Sequence, residues 1–174
     1  MENLAPILEQ LQRTRAGLES ATAQFPANIW KWQPRQGSWS AAEVIAHLTM
    51  VENLVTQAAG KVIQHPPRPT PIWQRLHLPV WIVGYRLVGF KTPVALDSSL
   101  IAEKPEMLSR LAAVRQQTLA LLDQVRDRDL SVYWWRHPLL GSLRFYDWFR
   151  MVAHHEFRHT KQVREILRFA PYVK

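Results

Sequence analysis

The chain has 174 residues, of which 47% are hydrophobic and 21% are charged, and its formal net charge is +8. This length and composition exclude a disordered chain and predict one domain, residues 1–174, with a sizeable buried core. The chain contains no cysteine. Disulfides and thiolate ligands are therefore excluded, and any transition metal must be held by imidazole or carboxylate groups.

The first helix is predicted over residues 2–25, where Leu4, Leu11 and Leu18 belong to one stripe with helical spacing. This start lacks the basic and apolar segments of a signal peptide, so a cytoplasmic location is the default. A second helix is predicted after Ser40, because Ser40 and Glu43 have the spacing of a capping box.

The second helix carries an apolar face that includes a histidine. Val44, His47, Val51 and Leu54 follow one side of it, so His47 is expected to point into the bundle. Glu43, four residues before His47, could orient that ring in addition to capping the helix.

Residues 61–103 are rich in proline and are predicted to form a long crossover with a short helix packed over the bundle. Their apolar stretch, residues 78–90, is too short and too interrupted to span a bilayer. No acidic residue occurs in segment 61–96, and its basic residues are Lys61, Arg68, Arg75, Arg86 and Lys91. This segment could attract an anionic ligand. Nucleic acid is not expected as a partner, because no helix-turn-helix or RNA-recognition pattern is present.

Two further helices follow the crossover. The third is predicted from Pro105 along a stripe that ends at Val125, and the fourth runs from about Phe145 to Phe169. Together the elements predict an all-α four-helix bundle with one long Pro-rich crossover between the second and third helices.

Three histidines lie on the predicted bundle seams. His155 and His159 are four residues apart on the fourth helix, about 40° apart around its axis, so both can reach one ion. His47 could supply a third nitrogen and leave a coordination position open, as catalytic metal sites do. Buried core histidines remain the alternative for all three.

The same run, His155-Glu156-x-x-His159, matches the H-E-x-x-H pattern of zinc proteases. Gln162 and Glu165 stand where the extended metzincin pattern requires glycine and histidine, which disfavours a protease. Glu156 is expected to point elsewhere and receives no catalytic role, and Gln162 is a candidate to orient a ligand histidine.

The remaining histidines carry weaker signals. His154 is expected at the rim or surface, because it points away from His159. His65, His77 and His137 lie in sequence typical of loops and are interpreted as ordinary loop residues.

Two sequence blocks are similar to a known family. Residues 39–52, WSAAEVIAHLTMVE, and residues 137–163, HPLLGSLRFYDWFRMVAHHEFRHTKQV, resemble the DinB/YfiT-like superfamily of metal-dependent enzymes. The resemblance implies up-down-down-up topology and a divalent ion, nickel or zinc, at His47, His155 and His159. It also implies a homodimer and a low-molecular-weight thiol such as bacillithiol or mycothiol. The chain differs at Arg144, where a serine or threonine cap is expected.

The leading hypothesis is a metal-dependent S-transferase or hydrolase acting on a small molecule that is anionic or a thiol. The alternative is a noncatalytic binding or stress-response module, in which the ion ties helices together in a closed site. The residues leave open the metal, the substrate, the general base and the role of segment 61–96.

Overall fold

Four long α-helices make up most of the protein, and a computed structural model describes residues 2–68, 70–75, 77–85 and 100–170. The helices are α1 (Ala5–Ala23), α2 (Ala41–Val62), α3 (Lys104–Gln124) and α4 (Phe145–Phe169). The predicted bounds of the fourth helix are confirmed, whereas the first is shorter than predicted at both ends. Pro6 lies in its first turn, where the missing N–H has no helical partner to lose.

The predicted capping box fixes the start of α2. Ser40 Oγ accepts a hydrogen bond from the Glu43 backbone N–H at 3.2 Å, and the Glu43 carboxylate accepts one from the Ser40 N–H at 2.7 Å. Gln33 also donates to the Glu43 carboxylate. Glu43 is therefore occupied at the cap, and among the described residues its side chain bonds to Ser40 and Gln33 and not to His47.

The direction of each helix follows from two core clusters. The first cluster contains, from α1 to α4, Leu4 and Leu11, Val55 and Ala59, Leu122, and Phe145 and Phe149. The second cluster contains, in the same order, Leu18 and Ala21, Val44 and Leu48, Met107 and Leu111, and Val163 and Ile166. Helices α1 and α4 run from the first cluster to the second, and α2 and α3 run the opposite way. The topology is up-down-down-up, as the resemblance implies.

Two arginines and two glutamates, one from each helix, form a buried ion-pair network between the two clusters. Arg15 donates to Glu156 Oε1 at 2.7 Å and to Glu52 Oε2 at 3.0 Å. Arg115 donates to the two oxygens of Glu52 at 2.6 and 3.2 Å and to Glu156 Oε2 at 3.1 Å. All four side chains are at most 8% exposed, and their formal charges cancel.

The network also joins α1 to α3 through the backbone. Arg15 donates to the Leu111 carbonyl oxygen at 2.9 Å, and Arg115 donates to the Leu11 carbonyl oxygen at 2.6 Å. Burial alone would lower the pKa of Arg115, but the hydrogen bonds and charges of the two glutamates outweigh it and raise that pKa. The Arg115 guanidinium therefore stays charged in the interior.

A small β-hairpin precedes α4, and the sequence interpretation missed it. Strands β1 (Trp134–His137) and β2 (Gly141–Arg144) pair antiparallel, with His137 opposite Gly141. Gly141 adopts a φ of 92°, which favours glycine after the short turn. The all-α bundle is confirmed, with this hairpin as a minor addition.

The described part of the crossover packs against the bundle. The predicted short helix is a 3₁₀ helix, Val80–Gly84, which lies against α4. Arg86, Lys91 and the rest of segment 86–96 lie outside the described residues. None of the helices in the described ranges is both long and apolar enough to cross a membrane.

Arg144 occupies the N-cap position of α4 without a side-chain cap. Instead, its guanidinium pairs with Asp147 in the first helical turn at 2.8 Å, and Arg150 pairs with the same carboxylate at 2.9 Å. The Asp147 carboxylate is also placed favourably at the positive end of the helix dipole. An ion pair therefore accompanies this helix start where a hydroxyl cap was expected.

Candidate metal centre

The three seam histidines meet between α2 and α4. One ring nitrogen from each of His47, His155 and His159 lies within 4.8 Å of the other two. His155 Nε2 lies 3.0 Å from His47 Nε2 and 3.1 Å from His159 Nε2. These residues could together hold one metal ion.

The protons on these rings explain why a cation suits the arrangement. A neutral imidazole nitrogen carries either one hydrogen or one lone pair, so His155 Nε2 cannot form good hydrogen bonds to both neighbours. The His159 Nδ1 atom lies 2.8 Å from Gln162 Oε1, which places its proton on Nδ1 and leaves a lone pair on Nε2. A cation that accepts lone pairs resolves the conflict for all three rings at once.

The spacing of the nitrogens is also close to what a small divalent ion requires. Tetrahedral zinc, with bonds of about 2.0–2.1 Å to imidazole, holds its ligand nitrogens roughly 3.3–3.4 Å apart. The two measured separations of 3.0 and 3.1 Å are slightly shorter. The nitrogens of the third pair, His47 and His159, lie within 4.8 Å of each other, so coordination would require the rings to adjust.

Two neighbours orient the rings. Gln162, the candidate from the sequence, accepts from His159 as an outer hydrogen-bond partner of a ligand does. The Trp39 indole stacks on the His159 ring, with the ring centroids 6.0 Å apart, and packs against the His47 ring, with the centroids 4.9 Å apart. His47 Nδ1 is buried without a hydrogen-bond partner among the described residues, so packing by Trp39 takes the place of a polar contact.

The environment of His47 and His155 favours the uncharged form of both rings. Burial lowers the pKa of His47 to about 4. Burial, together with the nearby His159 and His47 rings, holds the pKa of His155 well below its usual range. Neutral imidazoles are the form that binds metal, so protons compete weakly for these nitrogens.

An open cavity of about 660 Å³ adjoins the histidines, which form part of its lining. This volume falls within the roughly 300–1,000 Å³ of small-molecule sites. The lining is mostly apolar and includes Val51 and Leu54, which were expected to face the bundle interior. Leu54 is 48% exposed, so this face of α2 borders the cavity where a closed core was predicted.

The positive charge at the cavity comes from α4. Arg158 is half-buried, lines the cavity and donates to the Tyr85 carbonyl oxygen. Lys61, Arg68 and Arg75 are the described basic residues of segment 61–96, and they are exposed and are not part of the lining. Among described residues, the crossover therefore does not bring its basic side chains to this cavity.

Glu156 lies in the ion-pair network, away from the three imidazoles. Its carboxylate accepts from Thr14 and from both network arginines, and the residue is 2% exposed. His155 and Glu156 are consecutive on α4, about 100° apart around the axis, so they face different sides. This geometry agrees with the interpretation that Glu156 is not a general base for this centre.

His154 also lies apart from the centre, as expected. Its Nε2 contacts the Gln10 side chain of α1 at 3.2 Å, and its ring packs near Gly84. Although His154 precedes His155 directly, the two rings face different neighbours.

Comparison with known proteins identifies the family. The model of the DinB superfamily matches residues 10–163, which is most of the chain. The chain belongs to the DinB superfamily. Within the curated proteins it is 26% identical over 135 residues to the uncharacterized protein YuaE of Bacillus subtilis (strain 168), covering 77% of this chain and 80% of YuaE.

A solved structure supports the bundle architecture. The crystal structure of TT2238, a four-helix bundle protein, superposes with a TM-score of 0.61 at 16% sequence identity. The match covers 94% of this chain and 99% of that one. At this identity the likeness concerns the fold alone. For this DinB superfamily protein the nickel or zinc ion, the thiol, the homodimer and the cytoplasmic location stay predictions.

The sequence interpretation missed a histidine of the cavity. His137, interpreted as an ordinary loop residue, ends β1 and lines the cavity. Its Nδ1 accepts hydrogen bonds from the backbone N–H groups of Leu139 and Leu140, both at 3.1 Å. Burial lowers the pKa of His137 to about 4. The short turn before Gly141 was the available signal, because it could have indicated a hairpin.

Proposed function

We propose that this chain binds one divalent metal ion, nickel or zinc, through His47, His155 and His159. The observation that carries the proposal is the convergence of three imidazole nitrogens, separated by 3.0 and 3.1 Å, at the wall of an open cavity. Membership of the DinB superfamily is compatible with a metal-binding protein.

We propose further that the protein is a metal-dependent enzyme, either an S-transferase or a hydrolase. A bound divalent ion supplies Lewis acidity, which lowers the pKa of a thiol or water beside it and yields a nucleophile at neutral pH. Gln162 holds the His159 tautomer, and Trp39 packs over two of the rings. The mostly apolar cavity accommodates the substrate, and the Arg158 guanidinium favours one that carries negative charge.

The cavity supports an enzyme over the alternative of a noncatalytic module. A purely structural ion is held in a closed site, whereas three nitrogens leave a fourth tetrahedral position for water or substrate. His155 and His159 both border the cavity, so this position is accessible from it. The noncatalytic alternative predicts a bound ion that neither water nor an added ligand can reach.

Metal content is the first test. Elemental analysis of the purified untagged protein should find about one equivalent of nickel or zinc, lost in His47→Ala, His155→Ala and His159→Ala. His154→Ala is the matched control, because this half-buried neighbour lies outside the three-histidine centre and should leave the metal in place. Absence of metal after incubation with both ions would contradict the proposal.

The thiol is tested separately on cobalt-substituted protein. Glutathione-like thiols should change the visible spectrum of the cobalt form if sulfur reaches the ion. If cobalt binds stoichiometrically but no thiol changes its spectrum or the thermal stability of the protein, the S-transferase proposal is contradicted. The hydrolase proposal then stands alone. A site that also excludes exchangeable water would favour the noncatalytic module.

A further inference from the structure

The cavity has a second polar end, formed by the hairpin. The His137 ring packs on the Trp148 ring with the ring centroids 5.1 Å apart, and the Trp135 ring stacks on the same indole with the centroids 4.9 Å apart. All three side chains line the cavity. Trp148 and His155 are seven residues apart on α4, which is roughly 10 Å along the helix axis. His137 is therefore separated from the candidate metal centre by about the length of a small molecule.

The hydrogen bonds of the hairpin turn determine the tautomer of His137. Nδ1 accepts from two backbone N–H groups, those of Leu139 and Leu140, so it carries a lone pair and no hydrogen. The proton of the neutral ring must then lie on Nε2. This conclusion depends on the geometry of the turn, and the lowered pKa of His137 agrees with it.

The Nε2 hydrogen has no acceptor among the residues that the structure describes. The hydrogen bonds of His137 to described residues involve only Nδ1, and its Nε2 is not a fully buried atom without a partner. Because Nδ1 faces the turn, Nε2 is the nitrogen left to face the cavity. The neighbouring Trp148 indole N–H is buried and also lacks an acceptor within the described ranges. This end of the cavity thus presents the His137 donor without an acceptor among the described residues, whereas the Trp148 N–H is enclosed.

The wall between the two ends is apolar. Val51 and Val55 of α2 and Met151 of α4 line it. Such a wall offers no hydrogen bond to the middle of a ligand and favours hydrocarbon there. The half-buried Arg158 is the cation in the described lining, and its guanidinium already donates to a backbone carbonyl.

We propose that His137 donates its Nε2 hydrogen to the bound substrate, and that the substrate is elongated, with an apolar middle. One end of the substrate binds the metal, and the other carries an acceptor oxygen for His137. This proposal rests on the metal centre proposed above and adds a positioning residue and a substrate class to it. His137 determines which end of the substrate faces the three histidines.

The test compares two thiols on the zinc-loaded full-length protein. Hexanethiol and ω-mercaptohexanoate share a sulfur and an apolar chain, but only the second carries acceptor oxygens at its far end. Dissociation constants are measured by quenching of tryptophan fluorescence, since Trp39, Trp135 and Trp148 line the cavity. Wild type should prefer ω-mercaptohexanoate by about tenfold, the effect of one hydrogen bond to a charged acceptor.

The informative variant is His137→Asn. The Asn Oδ1 atom can take the place of Nδ1 and accept from the turn, while the Nε2 donor is lost. In this variant the preference for ω-mercaptohexanoate should fall to about twofold or less. Its metal content and its affinity for hexanethiol should equal those of wild type. His77→Asn is the matched control, because His77 belongs to the same hairpin region but is not part of the cavity lining. It should keep the full preference.

Two results would overturn the proposal. One is equal affinity of wild type for the two thiols, or no binding of either. The other is a full preference retained in a His137→Asn protein that binds zinc and hexanethiol normally. If that variant does not fold, ¹⁵N spectra of histidine-labelled wild type decide instead. The His137 Nε2–H resonance should shift with ω-mercaptohexanoate and not with hexanethiol, and an unchanged resonance would count against the donor.

The failures of the two proposals are distinguishable. Metal content reports the three-histidine centre, whereas the ratio of the two dissociation constants reports His137. A preference that depends on His137 in a protein without metal would support the His137 donor and contradict the metal centre. Bound zinc without any preference would support the metal centre and contradict the His137 donor.

Discussion

Replacing Glu156 with Gln tests whether the carboxylate beside the histidines has a structural or a catalytic role. Glu156 accepts hydrogen bonds from Thr14 Oγ1 at 2.7 Å, Arg15 Nε at 2.7 Å and Arg115 Nη2 at 3.1 Å. All of these partners lie in the interior, and the carboxylate is 2% exposed. The interior network is neutral with Glu156 ionised and carries one uncompensated positive charge without it.

The expected loss of stability is large. Removing one partner from a buried ion pair typically lowers the free energy of unfolding by about 3–5 kcal/mol, because the remaining charge is left uncompensated. The amide of Gln keeps one acceptor but also directs an N–H group towards other donors. Since domains are stable by only about 5–15 kcal/mol, Glu156→Gln should remove roughly a fifth or more of the total.

The assay is urea unfolding followed by far-UV circular dichroism, with the zinc content measured on the folded protein. Glu156→Gln should unfold at a much lower urea concentration, with little change in the dependence of the unfolding free energy on urea concentration. The folded variant should still bind zinc. Glu9→Gln is the matched control: Glu9 is 75% exposed and, within the described ranges, forms an ion pair with Arg13 alone, at 3.8 Å, so the change should stay within about 0.5 kcal/mol. A Glu156→Gln protein within about 1 kcal/mol of wild type would refute the reasoning. Loss of activity at unchanged stability would revive a general-base role.

Three further predictions concern the centre and the helix that carries His47. Zinc at a hundredfold excess over its dissociation constant should raise the free energy of unfolding of wild type by about 2.7 kcal/mol, and thermal melting of His155→Ala should show no such shift. Metal-free protein should lose stability as pH falls, because burial lowers the pKa of His47 from 6.5 to about 4 and the unfolded chain takes up the proton first. The stability that depends on neutral His47 is fully present above about pH 6.5 and is lost as the pH falls towards 4, by up to about 3 kcal/mol. The urea midpoint, measured with a chelator present, should therefore change less with pH in His47→Phe than in wild type. Ser40→Ala should lower the free energy of unfolding by about 1 kcal/mol, and an unchanged urea midpoint would mean that the capping box contributes nothing.

Local signals in the sequence predicted the helices well. The Ser40 cap and the helical spacing of Trp148, Val152 and His155 depend on neighbours within a few residues, so the sequence contains them directly. The prediction that His155 and His159 lie on one face of the fourth helix requires only the helical period. His47 became a candidate third ligand from its place on the apolar face of the second helix, and the resemblance to a family then implied the same three residues.

Features built from distant residues were not predictable in the same way. Arg15 and Arg115 each follow a buried leucine by four residues, and this spacing was the available sign that they face the core. Charged residues are rarely buried unless they are paired, and their partners on α2 and α4 lie at least 37 residues away. The hairpin is different, because its strands are close in sequence and pair His137 with Gly141. Its signal, the short turn before Gly141, was present in the sequence but was interpreted as part of a loop.

The ion-pair network and the histidines are mechanically connected through the helices that they share. Glu52 lies five residues after His47 on α2, and Glu156 follows His155 directly on α4. A helix that turned about its axis by one residue, about 100°, would withdraw its glutamate from both arginines. The strong preference of the buried arginines for these carboxylates therefore fixes the rotation of α2 and α4. With that rotation fixed, His47 and His155 face each other at the cavity, where their Nε2 atoms lie 3.0 Å apart.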